Sequence, residues 1–322
     1  MWGLISRQWF LPALLISLGI GFGLTDQVRP LAEIATLRSS ITAGVLFLMG
    51  LTLNADSVAR SIRHPGPAML AIGLNTFLLP LLALPSLWLL SPEMAGGLIV
   101  TSLVPSTLAS AAVWTRKAGG DDATAMIVSV VTNLACFLVA PIGVWLILGQ
   151  VTEISARDQI ISLAVWVVLP MIVGQAVRRL FLAAWASEHR GSLSTVAQMG
   201  ILVMVCFGSV ASADRMHGGS PDGSGAVEIV AAGLMAITIH CVAMAISIAA
   251  SRRLGHPPAT QIAVGISASQ KTLMVGLQIA LDGGVSVLPM IIYHVGQLMI
   301  DTLIVQRWAK RFGTPPPKSA PE

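Results

Sequence analysis

Charge is what this chain has least of. Asp, Glu, Lys and Arg make up 11% of its 322 residues, where a soluble domain carries about 25%. Hydrophobic residues make up 55%, and the mean hydropathy is +0.80. So few polar groups cannot cover a surface in water, which excludes an ordinary soluble domain. Cysteine is also scarce. Cys136, Cys206 and Cys241 all fall in apolar segments with no CxxC spacing, which argues against a disulfide scaffold or a thiolate metal site. The formal charge of +4 is not gathered into a basic patch, so nothing points to nucleic acid. There is no HExxH, no GxSxG, no P-loop and no pair of buried carboxylates, so no enzyme signature is present.

What remains is apolar stretches of membrane-spanning length, about 17–25 residues each. Ten are expected, near 9–25, 37–54, 66–90, 95–115, 122–148, 159–178, 193–212, 226–250, 258–281 and 286–306. The first lacks a small-x-small cleavage site and is read as an uncleaved span. Cytoplasmic loops carry an excess of Lys and Arg. With ten spans, 14 of the 19 Lys and Arg residues fall on the side of the termini, four on the other, and Lys271 lies inside a span. A span too many or too few would scramble that division. The expectation is a multi-pass protein of the cell (inner or plasma) membrane with both termini cytoplasmic. The outer loop 213–225 reads as flexible and the tail 314–322 as disordered.

The chain also repeats itself. "AIGLN" (71–75) lies against "AITIH" (236–240), and the same offset of 165 sets "STL" (106–108) on "KTL" (271–273). Ser86, Leu89, Pro92, Ser102 and Gly119 meet Ser251, Leu254, Pro257, Ser267 and Gly284 without a gap. Five spans separate the copies, and an odd number inverts them. Inverted five-helix repeats place substrate and ion sites at their interface.

Within the repeat, "SLVPSTLASAAV" (102–113) faces "SASQKTLMVGLQ" (267–278). Pro105 removes a helix hydrogen bond, and neighbouring Ser and Thr can satisfy the freed groups. Gly265 and Gly276 flank the polar core of the other segment. Both read as broken helices, whose ends point into a shared cavity. The plainer alternative is one proline kink and ordinary packing serines. A lysine at mid-span costs at least about 2.5–3.5 kcal/mol and needs a cavity or a partner. Lys271 can supply positive charge between two helix ends, as a bound cation does elsewhere, and can give up a proton. The structural alternative is an ion pair with Asp301. Candidate ligand-binding residues are Asn75, Ser106, Thr107, Ser110, Ser129, Asn133, Ser269, Gln270, Lys271 and His294; Thr132, His240 and Gln297 lie at similar depth. Taken singly, each is more often a packing hydrogen bond than a ligand.

Three stretches carry a resemblance. "GLTLN" (50–54), "PSTLAS" (105–110) with "GGDDATAMIVSVVTNL" (119–134), and "SQKTL" (269–273) with "LPMIIYH" (288–294) resemble the bile acid:sodium symporter superfamily, the SBF-like branch in particular. The resemblance runs from the second span to the tenth. It implies an all-α membrane fold of ten helices in two inverted five-helix repeats, with broken crossover helices 4 and 9. It implies a panel sub-domain (about 9–54 and 159–212), a core sub-domain (about 66–148 and 226–306), and coupled transport of an organic anion by alternating access. It further implies a sodium site to which Ser110 and Ser129 correspond, although Ala111 and Ala125 stand where polar ligands would be expected. A second site would use an amide, matched by Asn75, and an acid whose place is taken by Gly265. The missing acid suggests that Lys271 replaces one sodium ion.

The expected function is therefore secondary active transport of a small organic anion, coupled to sodium or protons. A membrane ligand sensor and a channel are the alternatives. The expected partners are the solute and the lipid bilayer, with no nucleic acid and no cofactor beyond a sodium ion, in a monomer or homodimer.

Overall fold

The computed structural model describes residues 9–53, 65–108, 110–149, 156–217 and 224–312, and every regular element among them is helical. The tail 314–322 and residues 218–223 of the expected outer loop lie outside the described residues. The N-terminal part of that loop corrects the expectation. It continues a helix as far as His217.

In chain order the helices are α1 (Phe10–Gly23), α2 (Thr25–Ala32), α3 (Ala35–Thr52), α4 (Gly66–Leu89), α5 (Pro92–Leu103), α6 (Ser110–Lys117) and α7 (Asp122–Leu148). They continue with α8 (Ala156–Glu188), α9 (Arg190–His217), α10 (Ser224–Arg253), α11 (Pro258–Ser269), α12 (Leu273–Asp282) and α13 (Leu288–Phe312). Seven of them, α3, α4, α7, α8, α9, α10 and α13, are long and apolar enough to cross a membrane. An eighth appears if α1 and α2, bent by 99° at Leu24, count as one span. The expected fourth and ninth spans are each two short helices, α5 with α6 and α11 with α12, so neither half meets the length of a span.

The helices pack in two groups that share one apolar core. In one, α9 lies across α1, α2 and α3, and α3 runs against the Leu169–Val177 part of α8. That contact is close because two glycines meet it. A side chain at Gly50 would strike the Met171 carbonyl, and one at Gly174 would strike that of Phe47. Small residues at such crossings let backbones approach in a membrane, where lipid supplies no hydrophobic drive between helices. In the other group, α7 packs on α4, α6 and α11, α10 on α11, and α13 on α5, α6 and α10. The two groups touch where α12 meets α3 and α9, where α13 meets α9 and Phe10 of α1, and where α7 meets α8. Phe77, Trp88 and Phe181 are each at least 75% exposed on the outside, as lipid-facing side chains are.

The four short helices cross at the centre of the second group. α5 packs against α12, and α6 against α11, so each half of one broken helix lies on the opposite half of the other. Both breaks are chemically local. Val104 precedes Pro105 and is extended (ψ 159°), as the residue before proline is driven to be. At the other break Gln270 and Thr272 are extended (ψ 144° and 139°) with no proline; side chains hold that break open.

Candidate functional site

The two breaks are joined directly. The Thr272 amide donates to the Pro105 carbonyl at 2.9 Å. Lys271 extends its ammonium across the crossing and donates to three oxygens: Asn75 O at 2.8 Å, Asn75 Oδ1 at 3.1 Å and Val104 O at 2.8 Å. An ammonium has three N–H bonds, and each has an acceptor. Both carbonyls are left open by the backbone. Val104 ends α5, where last-turn carbonyls lack helical donors and carry the negative end of the helix dipole. Asn75 lies in a widened π turn of α4, Leu74–Leu78, and five residues on Pro80 has no N–H to offer. Lys271 is 2% exposed and ringed by neutral oxygens.

The same Asn75 side chain also serves the second break. Its Nδ2 donates to the Ala268 and Gln270 carbonyls at 2.8 and 3.2 Å. Tyr293 donates its hydroxyl to the Ser269 carbonyl at 2.7 Å, and His240 Nδ1 faces that oxygen at 3.2 Å. The carbonyl end of α11 is thus closed by donors from α4, α10 and α13.

A matched clamp holds each break from the helix that follows it. Gln297 of α13 accepts from the Lys271 amide at 2.9 Å and donates to the Lys271 carbonyl at 3.0 Å. Ser106, which the 165-residue offset equates with Lys271, donates its amide to Thr132 Oγ1 at 3.2 Å, and its carbonyl accepts from Asn133 Nδ2 at 2.7 Å. Thr132 and Gln297 are themselves 165 apart. So are Gly119 and Gly284, both at positive φ just past the second half-helices.

Across the crossing, Gln270 ties α6 to α13. Its Oε1 accepts from Thr107 Oγ1 at 2.5 Å and from Ser110 Oγ at 3.1 Å, while its Nε2 donates to Asp301 Oδ2 at 2.5 Å. Thr107 Oγ1 also accepts from the Ala111 amide at 3.0 Å, capping α6. Asp301 Oδ1 lies 3.1 Å from His240 Nε2. The structural partner expected for Lys271 is therefore corrected. Asp301 pairs with His240, and Lys271 binds neutral oxygens instead.

Of the expected residues, Asn75, Ser106, Thr107, Ser110, Gln270 and Lys271 meet at the crossing. Ser269 contributes its carbonyl only, because its hydroxyl bonds back to the Gly265 carbonyl at 2.9 Å. Ser129 turns back onto the Ala125 carbonyl at 2.9 Å. His294 bonds Gln297 at 2.9 Å and sets its ring against Phe10, 6.3 Å away. Gly265 lies a turn inside α11, where a side chain would meet that of Ile248. Tyr293 was passed over, although it is the one tyrosine in the chain. Two oxygens beside the first break, Ser106 Oγ and Asn133 Oδ1, are buried without a hydrogen-bond partner.

Curated relatives share this length of chain. Uncharacterized protein PA2026 of Pseudomonas aeruginosa is 27% identical over 292 residues, 85% of this chain and 84% of the relative. The Arabidopsis thaliana protein named Probable sodium/metabolite cotransporter BASS4, chloroplastic, is 29% identical over 328 residues, 94% and 73%. Sodium/bile acid cotransporter 7 of Rattus norvegicus is 22% identical over 322 residues, 94% and 92%. The family is one of transporters, not enzymes. Its sequence model spans residues 8–310, from α1 into the last turns of α13 and over both breaks, and by that match the chain belongs to the SBF-like CPA transporter family.

Proposed function

We propose that the protein is a secondary active transporter that moves a small organic anion across the cell membrane by alternating access, coupled to sodium or protons. The observation that carries this reading is the crossing of two broken helices around Lys271, whose ammonium takes three oxygens of the kind that hold a cation. The cotransporter names of the relatives agree with it.

Ten spans follow if each broken pair counts as one beside the seven long helices and the bent α1–α2 pair. The matched clamps at an offset of 165 support two inverted five-helix repeats. The grouping of α1, α2, α3, α8 and α9 supports a panel at about 9–54 and 159–212 against a core at about 66–148 and 226–306. The charge asymmetry supports cytoplasmic termini, and the working unit is a monomer or homodimer. Asn75, Ser106, Thr107, Ser110, Ser129, Asn133, Ser269, Gln270, Lys271 and His294 form or border the solute and ion site. Sodium, where used, is cargo. Ser106 Oγ and Asn133 Oδ1 are oxygens open to a ligand, and buried polar atoms as a rule have a partner. Ser110 and Ser129 lie between them in sequence.

Thermal unfolding of the purified protein in sodium against potassium tests the ion. A ligand that binds only the folded state raises the midpoint by mass action. A sodium-specific rise that is lost in Ser110→Ala and Ser129→Ala makes the ion sodium; its absence leaves protons. Uptake of organic anions into vesicles under a sodium or pH gradient tests the transport itself. Accumulation lost in Lys271→Ala is expected, and channel currents without accumulation would overturn the reading.

A further inference from the structure

Lys271 does not account for every ionisable group at the crossing. His240 and Asp301 face each other with 1% and 0% side-chain exposure, on α10 and α13. The hydrogen bonds around them decide how many protons they hold. His240 Nδ1 lies 3.2 Å from the Ser269 carbonyl, which can only accept, so Nδ1 carries a hydrogen. His240 Nε2 lies 3.1 Å from Asp301 Oδ1. If Nε2 and the carboxylate were both without hydrogen, two lone pairs would confront each other in a dry site beside an uncompensated charge. One proton must lie between them, on the imidazole or on the carboxyl. The other carboxyl oxygen is taken by Gln270 Nε2 at 2.5 Å, so no second proton is needed.

We propose that His240 and Asp301 form a buried proton-binding site, distinct from Lys271, whose occupancy is sensed at both helix breaks through Gln270. Loading places one proton between Nε2 and Oδ1, and release returns it to water. Release leaves a lone pair against a carboxylate, which drives the two apart. Asp301 then draws on Gln270, and Gln270 is the residue that Thr107 and Ser110 of the opposite break hold. Coupling of this proton to solute movement rests on the transporter reading above; the site itself does not.

The surroundings leave the pair to itself. Tyr293 donates to the Ser269 carbonyl and sets its ring edge-on to His240 at 5.7 Å. His294 and Cys241 lie within reach of the Asp301 charge. His294 is engaged by Gln297, and Lys271 is turned away to its three oxygens. α11 carries no ionisable side chain. α5 and α6 carry theirs at their outer ends, Glu93, Arg116 and Lys117. Asp282 ends α12 and bonds Arg38.

The test uses the full-length protein in detergent and needs no substrate. A free imidazole and a free carboxyl hold no proton between them well above about pH 6.5. The folded pair holds one, so the folded state binds more protons and stability falls as pH rises. Between pH 7 and 9 the folded-to-unfolded ratio of the wild type should fall by up to about tenfold per pH unit from this site. Asp301→Asn keeps the geometry, because its amide nitrogen donates to Nε2 without a titrating proton, and should remove that slope. Lys271→Met should keep it. An unchanged slope in Asp301→Asn, or its loss in Lys271→Met, overturns the proposal. If Asp301→Asn does not fold, proton release is read with a pH indicator as Lys271→Met, which takes the lysine amine out of the count, is unfolded at pH 8. Release of about one proton per chain supports the site, and none refutes it. Failure of the anion-uptake assay alone would remove the transporter reading and leave this result standing.

Discussion

At the scale of single residues, Lys271 was legible as an anomaly, because a lysine in mid-span demands a reason. Its partners were not. Two of its three oxygens are backbone carbonyls freed by a π turn and a proline break, and no side-chain pattern announces them. Lys271→Met should leave three buried acceptors without donors. At roughly 1–3 kcal/mol for each unsatisfied group, partly offset by relief of a buried charge, the unfolding midpoint should drop by several degrees in a thermal scan. Gly265, which sequence matching places at the crossing, lies five residues before the extended Gln270. Gly265→Glu should therefore create no sodium response. It should instead destabilise the protein, since a side chain there meets Ile248, and overpacking costs about 1–3 kcal/mol. Sodium-dependent thermal shifts in that variant would contradict this placement.

At the scale of elements, α7 was legible almost to the residue, because Asp121 caps it by accepting from the Ala123 and Thr124 amides and its apolar run is unbroken. The first break was legible from Pro105. The second was not marked by proline, since it is opened by Gln297, Asn75, Tyr293 and His240 from three other helices. Tertiary contacts of that kind leave no local pattern. The two clamps make an unequal pair. Gln297 holds both the amide and the carbonyl of Lys271, whereas Thr132 holds only the amide of Ser106. Gln297→Leu should cost more stability than Thr132→Val, by about the 1–3 kcal/mol of one further unsatisfied group. Equal losses in chemical unfolding would show that the clamps are not what keeps the breaks open.

At the scale of the whole molecule, the all-helical membrane character was legible from the scarcity of charge and the long apolar runs, and seven helices of the described residues are long and apolar enough to cross a membrane. The groups share apolar contacts, such as Gly208 against Val287, and a few polar ones. Thr42 donates to Gln278 Oε1 at 2.8 Å, and Arg38 lies 3.4 Å from Asp282. A partly exposed pair of this kind is worth about 0–1 kcal/mol. Asp282→Ala should shift the unfolding midpoint by no more than a degree or two, yet speed labelling of a cysteine placed at Gln278 by a membrane-impermeant thiol reagent. An unchanged labelling rate would mean that Arg38 and Asp282 do not close this face. Lys271 has a last consequence at this scale, and it is electrical. On the transporter reading, a sodium ion that crosses is spent from its gradient, whereas Lys271, for as long as it keeps its proton, is tethered to the chain and returns with it. Displaced through a field worth about 2.3 kcal/mol per 100 mV, it adds a capacitive current but no net work. The energy for uphill transport must then come from an ion that leaves.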